Sequence, residues 1–305
     1  MQTALLHCCG SLIGDAARVV ARTIDAPAFM EQPLPIRVSH ISSPPPFLKW
    51  AGGKRWLSDR IVELANSIAG KYIEPFLGGG AVFFALKPGE ALLSDVNPEL
   101  INAYRAIRSD PNKLYSLLRI HQARHSKEYY YSIRTYRPRC EYRKAARFIY
   151  LNRTCWNGLY RVNLSGQFNV PIGTKSAVLM PTDDWSALSA LLNSVQLICG
   201  DFEDSIAQAK EGDLVFADPP YTVKHNLNGF IKYNDSLFSW CDQIRLRDAL
   251  VSAKCRGARV IVTNANHESI RDLYRRHFRL ESVVRESVLA GSPAHRGRYE
   301  ELLIS

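Results

Sequence analysis

The sequence predicts an α/β fold in which a doubly wound sheet is interrupted by a basic, mainly helical insert. Short apolar strands alternate with helical apolar spacing on both sides of residues 98–179. One predicted strand ends in a run of glycines, and three others end next to an aspartate. Because the carboxyl ends of parallel strands meet at one edge of a sheet, we expect a ligand site at that edge.

The strands and helices fall in the order that such a sheet requires. Before the insert we predict a helix over residues 54–68, a strand over 71–76, a helix over 81–86 and a strand over 91–93. After the insert we predict a strand over 195–199, a helix over 202–210, a strand over 213–217, a helix over 243–254 and a strand over 258–263. Residues 280–289 and 300–304 are predicted to pair as a terminal hairpin.

The first 46 residues differ in composition from the rest of the chain. Five prolines between Pro33 and Pro46 disfavour regular structure, and the apolar stretch over residues 1–22 lacks the basic start of a secretory signal. We expect a flexible leader, or an N-terminus extended upstream of a start at Met30, with a short partner-binding helix as the alternative. The predicted domains are this leader, an α/β domain over residues 47–97 and 180–305, and the insert over 98–179.

Positive charge is concentrated in the insert. The 305-residue chain has 39 Lys and Arg against 29 Asp and Glu, a net charge of +10. Residues 98–175 alone hold 15 basic and 4 acidic residues, a surplus of 11, and aromatic residues are interleaved with them. This pattern favours contact with nucleic acid. No apolar run reaches the ~18 residues of a membrane span, so no membrane contact is expected.

The seven cysteines do not form a metal-binding pattern. The sequence has no CxxC pair and no Cys/His cluster with the spacing of zinc ligands. An odd number of cysteines without such spacing fits reduced thiols in a cytoplasmic protein. We therefore expect a cytoplasmic location and no metal site.

The most specific motif is Asp218-Pro219-Pro220-Tyr221, which follows an apolar strand. Prolines stiffen the turn and lack N–H donors, so the Asp218 carboxylate and a proline carbonyl can both accept hydrogen bonds from one amino group. Such contacts draw the lone pair of an exocyclic amine out of conjugation and aim it at an electrophile. Tyr221 offers a flat face to a base that has left the duplex. The tetrapeptide is therefore the predicted catalytic site.

A ligand pocket is predicted beside this motif. The glycines at 78–80 let a ligand approach the backbone at the start of a helix, and Asp95 ends the next strand, where an acid commonly holds a ribose. The glycine spacing is that of neither a P-loop nor a GxGxxG turn. These residues alone therefore indicate an adenosine-containing ligand without specifying which one.

Motifs in this order resemble the DNA adenine methylase (Dam) family, the S-adenosylmethionine-dependent N6-adenine DNA methyltransferases. The resemblance is carried by the opening segment at 47–54, the loop at 74–80, the acid at 95, the segment at 151–171 and the tetrapeptide at 218–221. It implies a Rossmann-like methyltransferase sheet, S-adenosylmethionine as cofactor and double-stranded DNA as substrate. The insert would then be the target-recognition domain.

The resemblance also implies a role for each site residue. Residues that contact S-adenosylmethionine or frame its pocket would be Trp50, Lys54, Glu74, Phe76, Gly78, Gly80, Asp95, Asp201, Phe202 and Asp218. Residues that read or guide DNA would be Lys49, Arg153, Trp156, Asn157, Arg161, Pro171 and Lys175. Trp156 would fill the space that a flipped adenine leaves in the stack.

The expected reaction is direct methyl transfer to adenine N6 in a short duplex site, with GATC favoured. Relatives that read GATC often carry an arginine shortly after the Val-Pro-x-Gly element, where this chain has Thr174. An N6-adenine methyltransferase of structured RNA is the alternative enzyme. A catalytically silent, sequence-specific DNA-binding regulator is the alternative of another class. We expect a monomer that acts as an orphan methylase or beside a cognate restriction enzyme.

Overall fold

The computed structural model describes residues 44–65, 68–163, 165–222, 238–286 and 298–305. The predicted leader therefore lies outside the described residues as far as position 43. The strands of the described chain are β1 (Tyr72–Glu74), β2 (Ala91–Asp95), β3 (Val195–Cys199), β4 (Leu214–Ala217), β5 (Arg259–Ala265), β6 (Leu280–Glu286) and β7 (Arg298–Ile304). They form one sheet in the order β3-β2-β1-β4-β5-β7-β6.

Strand direction confirms the predicted doubly wound α/β class. Strands β1 to β5 run parallel to one another, whereas β7 runs antiparallel between β5 and β6. The pairing of Leu280 with Ile304 and of Val284 with Glu300 confirms the terminal hairpin. Because β1, β2, β3 and β4 are parallel, their carboxyl ends open on the same edge of the sheet.

Alternating residues of the central strands face two separate hydrophobic cores. Leu93 and Phe216 lie in one core, and their chain neighbours Leu92 and Val215 lie in the other. Strands β1 and β4 are buried along their whole length. This burial is expected of parallel strands that are covered by helices on both faces.

The described residues form ten α-helices. They are α1 (Ser58–Leu64), α2 (Ala81–Leu86), α3 (Pro98–Ser109), α4 (Pro111–Arg124), α5 (Lys127–Thr135), α6 (Glu141–Thr154), α7 (Trp185–Leu192), α8 (Phe202–Ile206), α9 (Trp240–Cys255) and α10 (Glu268–Tyr274). Two are shorter than predicted. Helix α1 begins only at Ser58, because the residues before it form the turn that directs Lys54 inward. Helix α8 ends at Ile206, because the Asp213 carboxylate accepts a hydrogen bond from Lys210 N–H at 3.0 Å and turns the chain into β4.

Four consecutive helices, α3 to α6, account for most of the predicted insert. Asn97, Asp110 and Ser126 cap the first three of these helices by accepting hydrogen bonds from backbone N–H groups. Arg105 and Arg108 of α3 donate to carbonyls of β3 at 3.0 and 2.8 Å. Helix α3 thereby attaches the insert to the edge strand of the sheet.

Candidate active site

Four loops meet at the carboxyl edge of the parallel strands. They follow β1, β2, β3 and β4. The glycine turn at 78–80, Asp201 and Asp218 lie in the loops after β1, β3 and β4, and Asp95 is the last residue of β2. The strand order places the β1 loop between the loops of β2 and β4. Residues that lie far apart in the sequence are therefore assembled at one edge.

Asp95 orders the glycine turn. Its Oδ2 accepts a hydrogen bond from Gly78 N–H at 3.1 Å, and its Oδ1 accepts one from Asn97 N–H at 3.0 Å. Burial raises the pKa of the Asp95 carboxyl, and the two backbone hydrogen bonds oppose that rise. The carboxylate thus ties the end of β2 to the loop after β1.

Trp50 covers the same turn and requires glycine beneath it. Gly78 and Gly80 have positive φ angles of 48° and 65°, which favour glycine. A Cβ atom on Gly78 would also lie only 2.6 Å from Cδ1 of Trp50. The indole of Trp50 also stacks on Tyr160, a residue of the insert, with 5.7 Å between ring centroids. Trp50 therefore connects the loop after β1 with the insert.

Glu74 lies beneath the glycine turn. It is 3% exposed and accepts a hydrogen bond from the Tyr72 hydroxyl at 2.9 Å. Burial raises its pKa well above the ordinary value, while the Tyr72 hydroxyl and the Phe83 backbone N–H oppose the rise. These contacts make Glu74 a support of the glycine turn, and its part in the S-adenosylmethionine pocket stays a prediction.

An aromatic surface lies beside Asp201. Phe202 stacks on Phe76 with 5.4 Å between ring centroids, and the Arg245 guanidinium lies over Phe202 at 4.9 Å. Asp201 Oδ1 accepts a hydrogen bond from Glu203 N–H and lies 3.1 Å from Arg245. Flat faces next to a carboxylate suit a ring that carries amino groups.

Asp218 is held by a lysine and a threonine from distant segments. Lys54 Nζ lies 2.9 Å from Asp218 Oδ1 and donates to the Gly52 carbonyl at 2.8 Å. The Thr263 hydroxyl of β5 donates to the same Oδ1 at 2.6 Å. Burial raises the pKa of Asp218, and the Lys54 charge and the Thr263 hydrogen bond oppose this rise. Both partners bind Oδ1, and none of the residues that the structure describes donates to Oδ2.

Three polar residues around the tetrapeptide were not predicted. They are Thr263, Gln243 of α9 and Glu301 of β7. Gln243 is fully buried and donates to the Pro220 carbonyl at 3.4 Å. Thr263 is the last residue of the strand predicted over residues 258–263, so the strand-end signal that pointed to Asp218 was available for it. Gln243 and Glu301 lie within a helix and a strand, where no local signal marks them.

The predicted DNA residues after α6 lie on an exposed loop and hairpin. The exposed members are Trp156, Asn157, Arg161, Pro171 and Lys175. Trp156 is 52% exposed, although its backbone N–H donates to the Pro171 carbonyl at 3.0 Å. The Arg161 Nε donates to Asn169 Oδ1 at 2.8 Å, which orients its guanidinium. A large exposed aromatic ring on a fixed backbone, next to an oriented guanidinium, suits an external partner.

Helix α6 fixes Lys49 beside this exposed loop. The Asn152 side chain donates to the Lys49 carbonyl at 2.7 Å and accepts from the Lys49 N–H at 3.0 Å. A Cβ atom on Gly158 would lie 2.6 Å from Cβ of Lys49, so the two segments are in close contact. Burial lowers the pKa of Lys49, and the charge of Lys175 lowers it further. Lys49 therefore packs against the loop that contains Trp156 and Gly158.

Arg153 is the exception among the predicted DNA contacts. It is 2% exposed, and its guanidinium donates to the Phe47 carbonyl at 2.8 and 3.0 Å and to the Val178 carbonyl at 2.7 Å. It also forms a bidentate pair with Asp183 at 2.6 and 2.8 Å. Such burial leaves no donor for a phosphate, so the DNA contact expected of Arg153 is corrected to a structural role.

The described residues hold no group of three or more His, Cys, Asp or Glu side chains arranged to bind a metal ion. Among the described helices, none is long and apolar enough to cross a membrane.

The sheet order and the strand-end loops define a Rossmann-like methyltransferase fold. The chain belongs to the D12 class N6 adenine-specific DNA methyltransferases, whose sequence model matches residues 50–288. This match confirms the resemblance to DNA adenine methylases. The chain is accordingly a site-specific, adenine-specific DNA methyltransferase.

Similar proteins occur in bacteria and archaea. The chain is 36% identical to a type II methyltransferase, M1.LlaDCHI, of Lactococcus lactis subsp. cremoris, with 85% of this chain and 94% of that protein covered. It is 34% identical to the type II methyltransferase M.MjaIII of Methanocaldococcus jannaschii, with 85% and 98% covered. It is 32% identical to a DNA adenine methylase of Vibrio cholerae serotype O1, with 84% and 94% covered.

Proposed function

We propose that the chain transfers the methyl group of S-adenosylmethionine to N6 of an adenine in double-stranded DNA. The proposed site is GATC, and the adenine would leave the base stack before it reacts. The observation that carries this proposal is the environment of Asp218. Lys54 and Thr263 occupy Oδ1, and no donor in the described part of the chain reaches Oδ2. Oδ2 is therefore available to accept a hydrogen bond from the adenine amino group.

Asp218 and Tyr221 would prepare the amino group for a direct displacement. S-adenosylmethionine supplies an electrophilic methyl group, and the N6 lone pair forms the new bond as the carbon–sulfur bond breaks. Asp218 accepts a hydrogen bond from N6 and stabilises the positive charge that develops on it, after which one amino proton is lost to water. Tyr221 provides the stacking face for the base.

The residues at the strand ends fit S-adenosylmethionine. Asp95 would bind the ribose hydroxyls, the Phe76–Phe202 pair would face the adenine ring, and Trp50 would close over the glycine turn. We expect Asp95→Ala to weaken S-adenosylmethionine binding in an equilibrium titration. Asp204→Ala, on the exposed side of α8, is the matched control and should bind normally. Equal affinities of the two variants would contradict this assignment of the pocket.

Residues 98–179 would form the DNA target-recognition domain. Phosphates would contact the basic surface, and Arg161, whose Nε is held by Asn169, would read a base edge. Trp156 would enter the space that the flipped adenine leaves in the stack. The enzyme would act as a monomer in the cytoplasm.

Methylation of matched duplexes tests this function. Purified protein is incubated with S-adenosylmethionine and duplexes that differ only in an intact or scrambled GATC, and N6-methyladenine is measured by nucleoside mass spectrometry. We expect methylation of the GATC duplex, and a loss on the order of a hundredfold or more in Asp218→Ala. Near-normal turnover of folded Asp218→Ala would contradict the mechanism. Preferential methylation of a structured RNA would instead support the alternative substrate.

A further inference from the structure

We propose that Glu301 is a positioning residue for adenine methylation, which orients the Tyr221 ring through its hydroxyl and shares the ammonium of Lys54 with Asp218. This inference rests on the proposed function, because it concerns the same reacting site. Glu301 lies on β7, opposite Ala265 of β5, and belongs to none of the motifs that identify the catalytic residues.

The contacts of Glu301 form a closed arrangement. Its Oε2 accepts a hydrogen bond from the Tyr221 hydroxyl at 2.7 Å and lies 3.5 Å from Lys54 Nζ. The same ammonium lies 2.9 Å from Asp218 Oδ1 and 4.8 Å from the centroid of the Tyr221 ring. Glu301 therefore contacts Tyr221 at one end of the tetrapeptide directly. It is connected to Asp218 at the other end through the ammonium of Lys54.

Packing alone does not explain a carboxylate at this position. Glu301 is 7% exposed and is followed on β7 by Leu302 and Leu303, which are buried in the two cores. Burying a charged carboxylate is costly, and an apolar residue of similar volume commonly stabilises such a position as well or better. A buried charge directed at a catalytic turn is consistent with selection for geometry at that turn.

The consequence for the reaction is a fixed stacking face. Two described contacts hold the Tyr221 ring: its hydroxyl donates to Glu301, and the Lys54 ammonium lies over its face. A hydrogen bond at the hydroxyl restricts rotation of the ring about its two side-chain torsions. Holding the ring near its reacting orientation raises the rate at which a bound adenine meets the methyl group. Binding of S-adenosylmethionine itself does not require this contact.

A double-mutant cycle tests the inference. The full chain is compared with Tyr221→Phe, Glu301→Ala and the double variant in single-turnover methylation of a GATC duplex at saturating S-adenosylmethionine. We expect each single change to slow methyl transfer on the order of tenfold, and the double variant to be no slower than the slower single variant. The dissociation constant of S-adenosylmethionine should change by less than about twofold, since a positioning effect falls on the transfer rate.

Two further variants separate positioning from general destabilisation. Glu301→Gln retains an oxygen that can accept the Tyr221 hydrogen bond and should restore much of the rate lost in Glu301→Ala. Glu300→Gln, on the exposed neighbour, should react like the wild-type chain. If Glu301→Ala does not fold, Tyr221→Phe and Glu301→Gln decide the question. Tyr221→Phe must then transfer methyl groups more slowly than the wild-type chain, and Glu301→Gln must transfer them faster than Tyr221→Phe.

Three outcomes would overturn the inference. They are a double variant whose loss is the product of the two single losses, a Tyr221→Phe variant with an unchanged transfer rate, and a Glu301→Gln variant as slow as Tyr221→Phe. Absence of N6-methyladenine with the wild-type chain would instead contradict the proposed function. The wild-type reaction therefore distinguishes the two failures.

Discussion

Ionisation of Asp218 sets the lower pH limit of the proposed reaction. Only the charged carboxylate can accept hydrogen bonds at both oxygens, and burial raises its pKa. Lys54 and Thr263 oppose this rise by stabilising the charged form. Because the folded pKa lies above the ordinary value, protonation occurs at a higher pH than in an exposed aspartate. Activity should therefore fall on acidification while exposed aspartates are still charged.

Thr263→Val should move this acid limit to higher pH. The substitution preserves the volume of the side chain but removes the hydroxyl that donates to Asp218 Oδ1 at 2.6 Å. Loss of that donor disfavours the carboxylate and raises its pKa further. The measurement is the pH profile of kcat/KM, with Ser116→Ala as a control, because its hydroxyl bonds only within α4. A profile that stays in place or moves to lower pH would contradict the role of Thr263.

Arg161→Ala should relax the methylated sequence. Asn169 orients this exposed guanidinium, and loss of one base contact costs about 1–3 kcal/mol of discrimination. Methylated-site profiles on one plasmid library provide the measurement. Lys144→Ala is the matched control, because Lys144 is another cation of the insert and pairs with Glu141 at 2.6 Å. It should weaken binding to all DNA sequences alike. An unchanged Arg161→Ala profile at undiminished rate would exclude this residue from recognition.

Helix α6 aligns the two halves of the site. Asn152 binds both backbone groups of Lys49, and Arg153 binds the carbonyl of Phe47. Two consecutive residues of one helix thereby hold the opening segment that carries Lys49 and Trp50. Since Trp50 lies on the glycine turn and Lys49 lies beside the exposed loop, a shift of α6 would move the proposed donor and DNA contacts together.

Arg153→Ala should destabilise this element strongly. The change leaves the Asp183 carboxylate, 9% exposed, without its bidentate partner. Breaking a buried ion pair in this way costs about 3–5 kcal/mol of unfolding free energy. Urea denaturation measures the loss, and Arg119→Ala on the exposed side of α4 is the control. A loss below about 1 kcal/mol would be that of a surface pair and would contradict the structural role.

At the scale of the whole molecule, local sequence signals predicted the sheet and the strand-end residues. Apolar residues mark β4, which is buried along its whole length, and β3, whose burial alternates at the edge of the sheet, and Asp95 and Asp218 lie at strand ends. The contact of Lys54 with Asp218 depends on strand order and chain reversal, which no local pattern encodes. Glu301 was missed for the same reason, since it lies on β7 and its partner Tyr221 lies in the loop after β4.

Charge is visible in a sequence, but burial is not. The resemblance of residues 151–171 assigned Arg153 to DNA, but its burial and its acidic partner Asp183, which lies after the insert, have no local signal. Arg147 is likewise buried and pairs with Glu99 at 3.1 Å. Two of the 15 basic residues in 98–175 are therefore withdrawn from the surface and cannot meet phosphate there. Individual residues have to be tested for their contribution to binding.

The salt dependence of DNA binding provides that test for the whole surface. Affinity for a duplex should fall steeply as salt rises, and the magnitude of the slope of log affinity against log salt should decrease by about 0.9 for each phosphate contact removed.

Lys175→Ala removes an exposed cation beside Lys49 and should lower the magnitude of the slope by this amount, equally for duplexes with and without GATC. Lys254→Ala removes a cation of α9, outside the insert, whose ammonium donates to the His277 carbonyl, and should leave the slope unchanged. Because a phosphate contact carries no sequence information, an effect of Lys175→Ala confined to GATC duplexes would reassign it to base reading. Equal slopes for all three proteins would exclude Lys175 from the DNA surface.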